Sequence, residues 1–478
     1  MKKIISILTA FLLLTSCEDS FDINRDPDSL SPEQATNNVI LPAGIAGLAG
    51  AQGSYYAIIG GFWSQFWTQN PTSSQYKTID AYSISTNDYM GAWTAMYDAL
   101  NDIRKVKANA LAEGNWNYYL IATTLEVQAS QIMTDLYGDI PYTEANNTNI
   151  LQPKFNTQEE VYNLMIADLQ TALSKDLNAS VGEAPANDDF IFGGNMSNWT
   201  KYANTLLLKL HMRLTEVNPA LAESGIKTLI NSGVQFLDVD AAMTQFEDAP
   251  DRSNPLYESD RRQLNTTLNL RASLTLHSYL STNADPRLGK YYGAGVGLIQ
   301  GDFENTSVAN PSLVTLNPTT AVYFISAEES SFLQAEALER YFGGNGAKAK
   351  YDLGVQQAMS KYSLSAATFI ATGGVYAYPT TGTLASKIEA IITQKWIASF
   401  PGNGYESFLE QNRTGYPKQS AVAQDDDAYV PGQLSISIEN TTGGKLPRRI
   451  ILPNNVKSRN SNAPALQAIT APVWWDVN

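Results

Sequence analysis

Trp63 and Trp67 stand four residues apart in Gly60-Gly61-Phe62-Trp63-Ser64-Gln65-Phe66-Trp67, and Tyr76 follows with Gln65, Gln69 and Asn70 between them. A helical segment would set the two indoles on one face. A sugar ring has a polar rim and an apolar face of C–H groups. A flat aromatic side chain can cover that face while amides, carboxylates or guanidinium groups bond the rim. Residues 60–90 therefore read as a candidate binding segment, with Trp63, Trp67, Tyr76, Gln69 and Asn70 as its contacts. Tyr291 and Tyr292, in Tyr-Tyr-Gly-Ala-Gly beyond Asp285-Pro286-Arg287, form a second candidate of the same kind. Rings at this spacing also suit a core beneath a loop, and both readings stand at this level.

Covalent chemistry has one candidate. Cys17 is the single cysteine of 478 residues and ends Leu14-Thr15-Ser16-Cys17, after Lys2, Lys3 and an apolar run from Ile4 to Leu14. A lone thiol behind an export signal has no disulfide to make. The tetrapeptide resembles a bacterial lipobox, in which the cysteine is acylated and becomes the first mature residue. Each buried methylene contributes about 0.8 kcal/mol, so several acyl chains hold a protein at a bilayer almost permanently. Catalysis has no comparable anchor. Two histidines, His211 and His277, and one cysteine cannot build a zinc or iron site of His and Cys. The 47 acids leave an oxygen-ligated calcium open, but no EF-hand spacing is present and no cofactor is expected. There is no G-x-S-x-G or H-E-x-x-H, and no motif fixes the carboxylate pair of a glycoside hydrolase. The chain is read as a binding protein, not an enzyme.

The formal charge is −15, and removing residues 1–16 takes away Lys2 and Lys3 and no acid, leaving −17. Such a balance argues against nucleic acid and against an anionic lipid surface as partners. After residue 17 no apolar stretch approaches the roughly 20 residues of a membrane span. Residues 1–16 read as the signal, 17–42 as anchor and extended lead, and 43–478 as one helical body.

The elements that must position the candidate residues are mostly helices. Asn37 to Ala57 is apolar enough for a first helix, weakened by its glycines. Trp93, Met96, Leu100 and Ile103 make one stripe, and Ile121, Leu125, Ala129 and Leu136 another, closed by Gly138 and Pro141. Thr157 to Glu160 has the form of a capping box, and Ser326 to Glu329 a second. Residues 178–197 and 231–262 are rich in Gly, Asn, Asp and Pro and read as loops. Helix pairs of about 34 residues have tetratricopeptide spacing, in which each pair needs the next to bury its apolar face. The fold class expected is mainly α: tetratricopeptide-like repeats with long inserted loops and a few short β-hairpins.

Several ordered strings resemble the SusD/RagB family of outer-membrane nutrient-binding lipoproteins, in its second, SusD-like subgroup. They are Asp22-Ile23-Asn24 with Asp26-Pro27, Asp135 to Tyr142, Trp199 to Leu206, Asp285 to Leu288, Gln334 to Ala337, Gln394 to Ala398, Asn412 to Pro417, Leu446 to Arg449, and Trp474 to Asp476. One departure is Gln411-Asn412-Arg413, where relatives more often carry consecutive arginines. The resemblance implies lipidation at Cys17, exposure at the cell surface, and a SusC-like TonB-dependent transporter as partner. It implies capture of a glycan, or alternatively a peptide, and delivery to that barrel. It also places part of the relatives' ligand arc near residues 60–90 and near Tyr291 and Tyr292.

Overall fold

The computed structural model describes residues 35–264 and 269–478. The signal, Cys17, Asp22-Ile23-Asn24 and Asp26-Pro27 lie outside the described residues. Helix α1 (Asn37–Ala51) begins inside the stretch read as an extended lead, with Pro42 accommodated in it. A single π-helical turn, Gln52–Tyr56, carries it without a break into α2 (Ala57–Trp63).

The body is a series of helix pairs. Helices α3 (Met90–Glu113) and α4 (Trp116–Tyr137) are joined by two residues with separate tasks. Gly114 takes the left-handed conformation that stops α3, and the Asn115 side chain accepts the Tyr118 N–H to start α4. Helix α4 is buried along nearly its whole length and is the central helix of the stack. Then follow α5 (Gln158–Leu173), α6 (Met196–Arg213), α7 (Pro219–Asn231), α8 (Leu274–Thr282), α9 (Ala327–Tyr341), α10 (Ala347–Ser360), α11 (Leu384–Ala398) and α12 (Gly404–Thr414). The capping box at Thr157 and Glu160 is complete. At α9, Ser326 accepts the Glu329 N–H, but Glu329 turns its carboxylate to Lys209 and Lys395 instead of back to the cap. One hydrophobic core runs from Ile40 to Trp475, and a smaller one joins Phe332, Tyr351, Val355 and Ile391 across α9 to α11.

The chain is mainly helical, with four short strands among the described residues. They are not the hairpins expected. Strand β1 (Trp67–Gln69) pairs antiparallel with β3 (Leu270–Ala272), and β2 (Ala241–Met243) pairs antiparallel with β4 (Val322–Ile325). Each pair joins segments distant in sequence, where no turn signal can announce the partner.

A buried ion network fastens the helices together. Arg213 of α6 reaches Asp135 of α4 at 3.2 Å and Glu406 of α12 at 2.7 Å, and also holds Glu410. Arg413 grips Glu336 of α9 at 2.7 Å and Glu410 at 2.6 Å. Lys209 sits 3.0 Å from both Glu329 and Glu406, Lys395 lies among the same carboxylates, and Arg340 closes on Glu336. Within the buried part five acids meet five bases, and Arg340 also reaches the more exposed Glu216 at 3.3 Å. Burial alone would raise the Glu406 carboxyl, but Arg213, Lys209 and Lys395 pull it down to about 2. Arg413 is thus a partner of buried carboxylates.

Candidate functional site

The segment after α2 places its aromatic residues inward. Trp63 is 3% exposed and Trp67 fully buried. Their indole N–H groups donate to the backbone carbonyls of Ile79 and Ile58, each at 3.3 Å. Trp63 packs on Phe408 with ring centroids 5.0 Å apart, and Trp67 lies edge-on to Phe62, Phe66 and Phe400. Tyr291 stacks on Phe400 at 4.2 Å and donates its hydroxyl to the Ile397 carbonyl, while Tyr292 donates to the Phe66 carbonyl. Tyr76, Gln69 and Asn70 are buried as well. Of the two readings of these seven side chains, ligand contacts or packing beneath a loop, their burial favours the second: they are the floor beneath the loops. The reason is that a ring at helical spacing has the same sequence signature whether it faces the core or a cleft, and here α2 is buried on every side.

Above that floor a chain of buried hydrogen bonds ties three loops to the start of α8. Gln65, at a left-handed φ of +56°, turns its side chain inward. Its carbonyl accepts the Thr275 hydroxyl at 2.5 Å and the Ser435 N–H at 3.0 Å. Thr275 in turn accepts from the Gln424 amide at 2.7 Å, and Gln424 accepts the Gln300 N–H at 2.7 Å. The Gln300 side chain donates to Asp80, which also accepts the Thr68 hydroxyl at 2.6 Å and the Gln69 N–H at 2.8 Å. Residues 64–80, 275, 300–301 and 424–435 are thereby held in one frame.

Asp80 has three donors and no cation. Burial pushes its carboxyl up to about 6, against the pull of those donors. A folded-state value above the ordinary 3.8 means that the native state binds this proton more tightly than the unfolded chain. The associated stability is full below about pH 4 and is lost as pH rises through about 6. It amounts to at most about 3 kcal/mol. Asp80→Asn should remove that slope, which melting curves taken between pH 4 and 7 on both proteins would show; parallel curves would refute it.

The residues that do reach solvent here are tyrosines and arginines. Tyr55, in the π-helical turn, is 39% exposed and stands edge-on to half-buried Tyr89 at 6.2 Å. Arg262 lies over the Tyr257 ring at 5.3 Å. The Tyr55–Tyr89 pair and the Tyr257–Arg262 pair are both half-exposed and suited to the flat faces and hydroxyl rims of sugars. None of these residues was singled out from the sequence. Tyr55 sits in a Tyr-Tyr doublet inside a helix, and Arg261 and Arg262 sit in a stretch read only as loop.

A cavity of about 470 Å³ opens elsewhere, between Lys290, Asn317, Tyr323, Lys361 and Asn403. Its walls carry Lys361, which holds Glu328 at 2.7 Å and Asp240 at 3.3 Å, Lys395, which joins the ion network, and Lys290. Among the described residues no group of three or more His, Cys, Asp or Glu is placed to hold a metal ion, and no helix is long and apolar enough to cross a membrane.

Residues 31–435 match the family model SusD-like_2, described as starch-binding and associating with the outer membrane. Comparison with curated protein sequences finds no match. Among solved structures, a SusD homolog from Bacteroides uniformis shares 23% identity with a TM-score of 0.74, covering 92% of this chain and 99% of its own. A chitin-binding SusD homolog from Flavobacterium johnsoniae gives the same identity, TM-score and coverage. A further chitin-binding protein shares 25% identity with a TM-score of 0.71, covering 93% of this chain and 100% of its own.

Proposed function

The chain belongs to the SusD-like family, and from that membership we propose that it captures a glycan at the cell surface and hands it to a SusC-like TonB-dependent barrel, without cutting it. The observation that carries the reading is the family match across residues 31–435. The chitin-binding names of two structural neighbours support a polysaccharide as the ligand class. Acylation of Cys17 is the anchor in this reading, and a soluble helical body with a net negative charge depends on it to stay at the membrane.

Binding of a glycan to exposed aromatic pairs is weak per site. A millimolar constant corresponds to about −4 kcal/mol, and a polymer gains the rest by engaging more than one site or by being enclosed with the barrel. The test is a glycan array with a peptide array beside it, followed by calorimetry on the hit. Tyr55→Ala should weaken glycan binding about tenfold, since stacking on one ring is worth about 1 kcal/mol or more. Its melting temperature should stay within a few degrees, because the ring is exposed. Peptide hits without glycan hits, or undiminished binding by Tyr55→Ala together with Tyr89→Ala, would overturn the reading. Co-purification of a large barrel after mild detergent extraction, and acyl chains on Cys17 by mass spectrometry, test the partner and the anchor separately.

A further inference from the structure

The start of α3 carries aromatic residues at a spacing of four: Tyr89 at the N-cap, then Trp93 and Tyr97. Residues so spaced lie along one side of a helix, here over about 12 Å. Tyr55 leans on the beginning of this row. Its ring centroid is 6.2 Å from that of Tyr89, and its hydroxyl stands 3.5 Å from where a Cβ on Gly91 would lie. Further along the row a cavity of about 360 Å³ opens between α3, residues 141–155 and the short helical segment Asn454–Arg459. Trp93, Tyr97 and Phe155 line it. The Trp93 ring is 5.0 Å from Tyr97 and 6.4 Å from Phe155, and within 20° of parallel to the latter.

The chain segments around this cavity are fastened to one another. Asn146 donates to the Tyr97 carbonyl at 3.0 Å, Arg104 to the Ala145 carbonyl at 2.7 Å, and Asn460 to the Pro153 carbonyl at 2.7 Å. Other polar groups on its walls are left over. Asp98 and Arg459 are exposed and form no ion pair among the described residues. The Tyr97 hydroxyl and the Asn455 Oδ1 are buried without a hydrogen-bond partner, a condition that calls for an explanation in a native fold. Rings can cover the C–H face of a sugar, while a carboxylate accepts from its hydroxyls and a guanidinium donates to them.

We propose that this cavity is a second sugar subsite, on the same side of α3 as the Tyr55–Tyr89 pair, and that it takes a neutral glycan. This rests on the glycan-capture reading and adds a place and a charge class. Asp98 and Arg459 are the only charged residues on the walls, so the cavity has no net charge and favours neither an acidic nor a basic sugar. The net charge of −15 opposes an acidic polymer at longer range. One polymer lying along α3 would engage both places, and the second contact becomes intramolecular once the first is made.

The test titrates maltohexaose, chitohexaose and xylohexaose, with oligogalacturonate as the acidic comparison, into the full chain and into the double variant Asp98→Ala with Arg459→Ala. At least one neutral hexasaccharide should bind the native chain, and the double variant should weaken it at least tenfold. The melting temperature should stay within a few degrees, because both side chains are exposed. Adding Tyr55→Ala should deepen the loss further. Binding confined to oligogalacturonate, or neutral binding that the double variant leaves unchanged, would overturn the proposal and leave glycan capture standing. Absence of binding by all four would also overturn it, and glycan capture falls with it only if a wider glycan array is blank as well.

Discussion

Arg413→Ala is expected to destabilise the fold by about 3–5 kcal/mol, the cost of leaving buried carboxylates without their cation. Arg413 is fully buried and supplies four short contacts, two to Glu336 and two to Glu410. Removing it leaves the cluster with five acids and four bases in a region closed to water. Glu336 and Glu410 are both held below the ordinary carboxylate range: burial would raise them, and the neighbouring cations overcome it, Arg413 first among them. Without Arg413 those groups must take up protons or separate. Urea denaturation should show the full loss, and adding Glu336→Gln to the alanine variant should restore part of it. A loss below about 1 kcal/mol would mean that the network is dispensable, as exposed ion pairs are.

Gly60→Ala is the second large effect, expected to exceed about 3 kcal/mol. A Cβ on Gly60 would lie 1.9 Å from the Tyr405 nitrogen and 2.5 Å from its Cα. The obstruction is the backbone of α12, so no side-chain rotation relieves it and the two helices must move apart. Gly61 is confined in the same way, with a Cβ 2.0 Å from the Trp67 indole. Gly50, in α1, offers the control: nothing lies within 4 Å of its Cβ position, so Gly50→Ala should be neutral or stabilising by up to about 1 kcal/mol. Thermal melts of the two variants side by side decide it, and similar melting temperatures would refute the close-packing account.

These residues also show what the sequence could disclose. The long helices followed from stripes such as Trp93, Met96, Leu100 and Ile103, because one face of a helix must repeat at its own period. The stop at Gly138 and the cap at Thr157 were legible for the same local reason. Gly60 and Gly61 counted against a helix by propensity, yet they lie in one because only glycine lets α2 approach α12. The strand pairs were out of reach, since Thr68 and Arg271 meet only through the tertiary fold.

The candidate site was the least legible part. The Trp63 and Trp67 stretch was read as ligand contacts and folds as a buried floor, because periodicity does not distinguish a ring on the floor from a ring on the rim. Tyr55 and Tyr257 lie in or beside π-helical turns, which no spacing rule reports.

The Gln65, Thr275, Gln424, Gln300 and Asp80 chain has a consequence for how such a protein diversifies. Three loops and the start of α8 share a common fastener, so transplanting one of the loops alone from a cousin would strip donors or acceptors from the rest. Change is open outside it, while the knot itself is inherited whole or not at all.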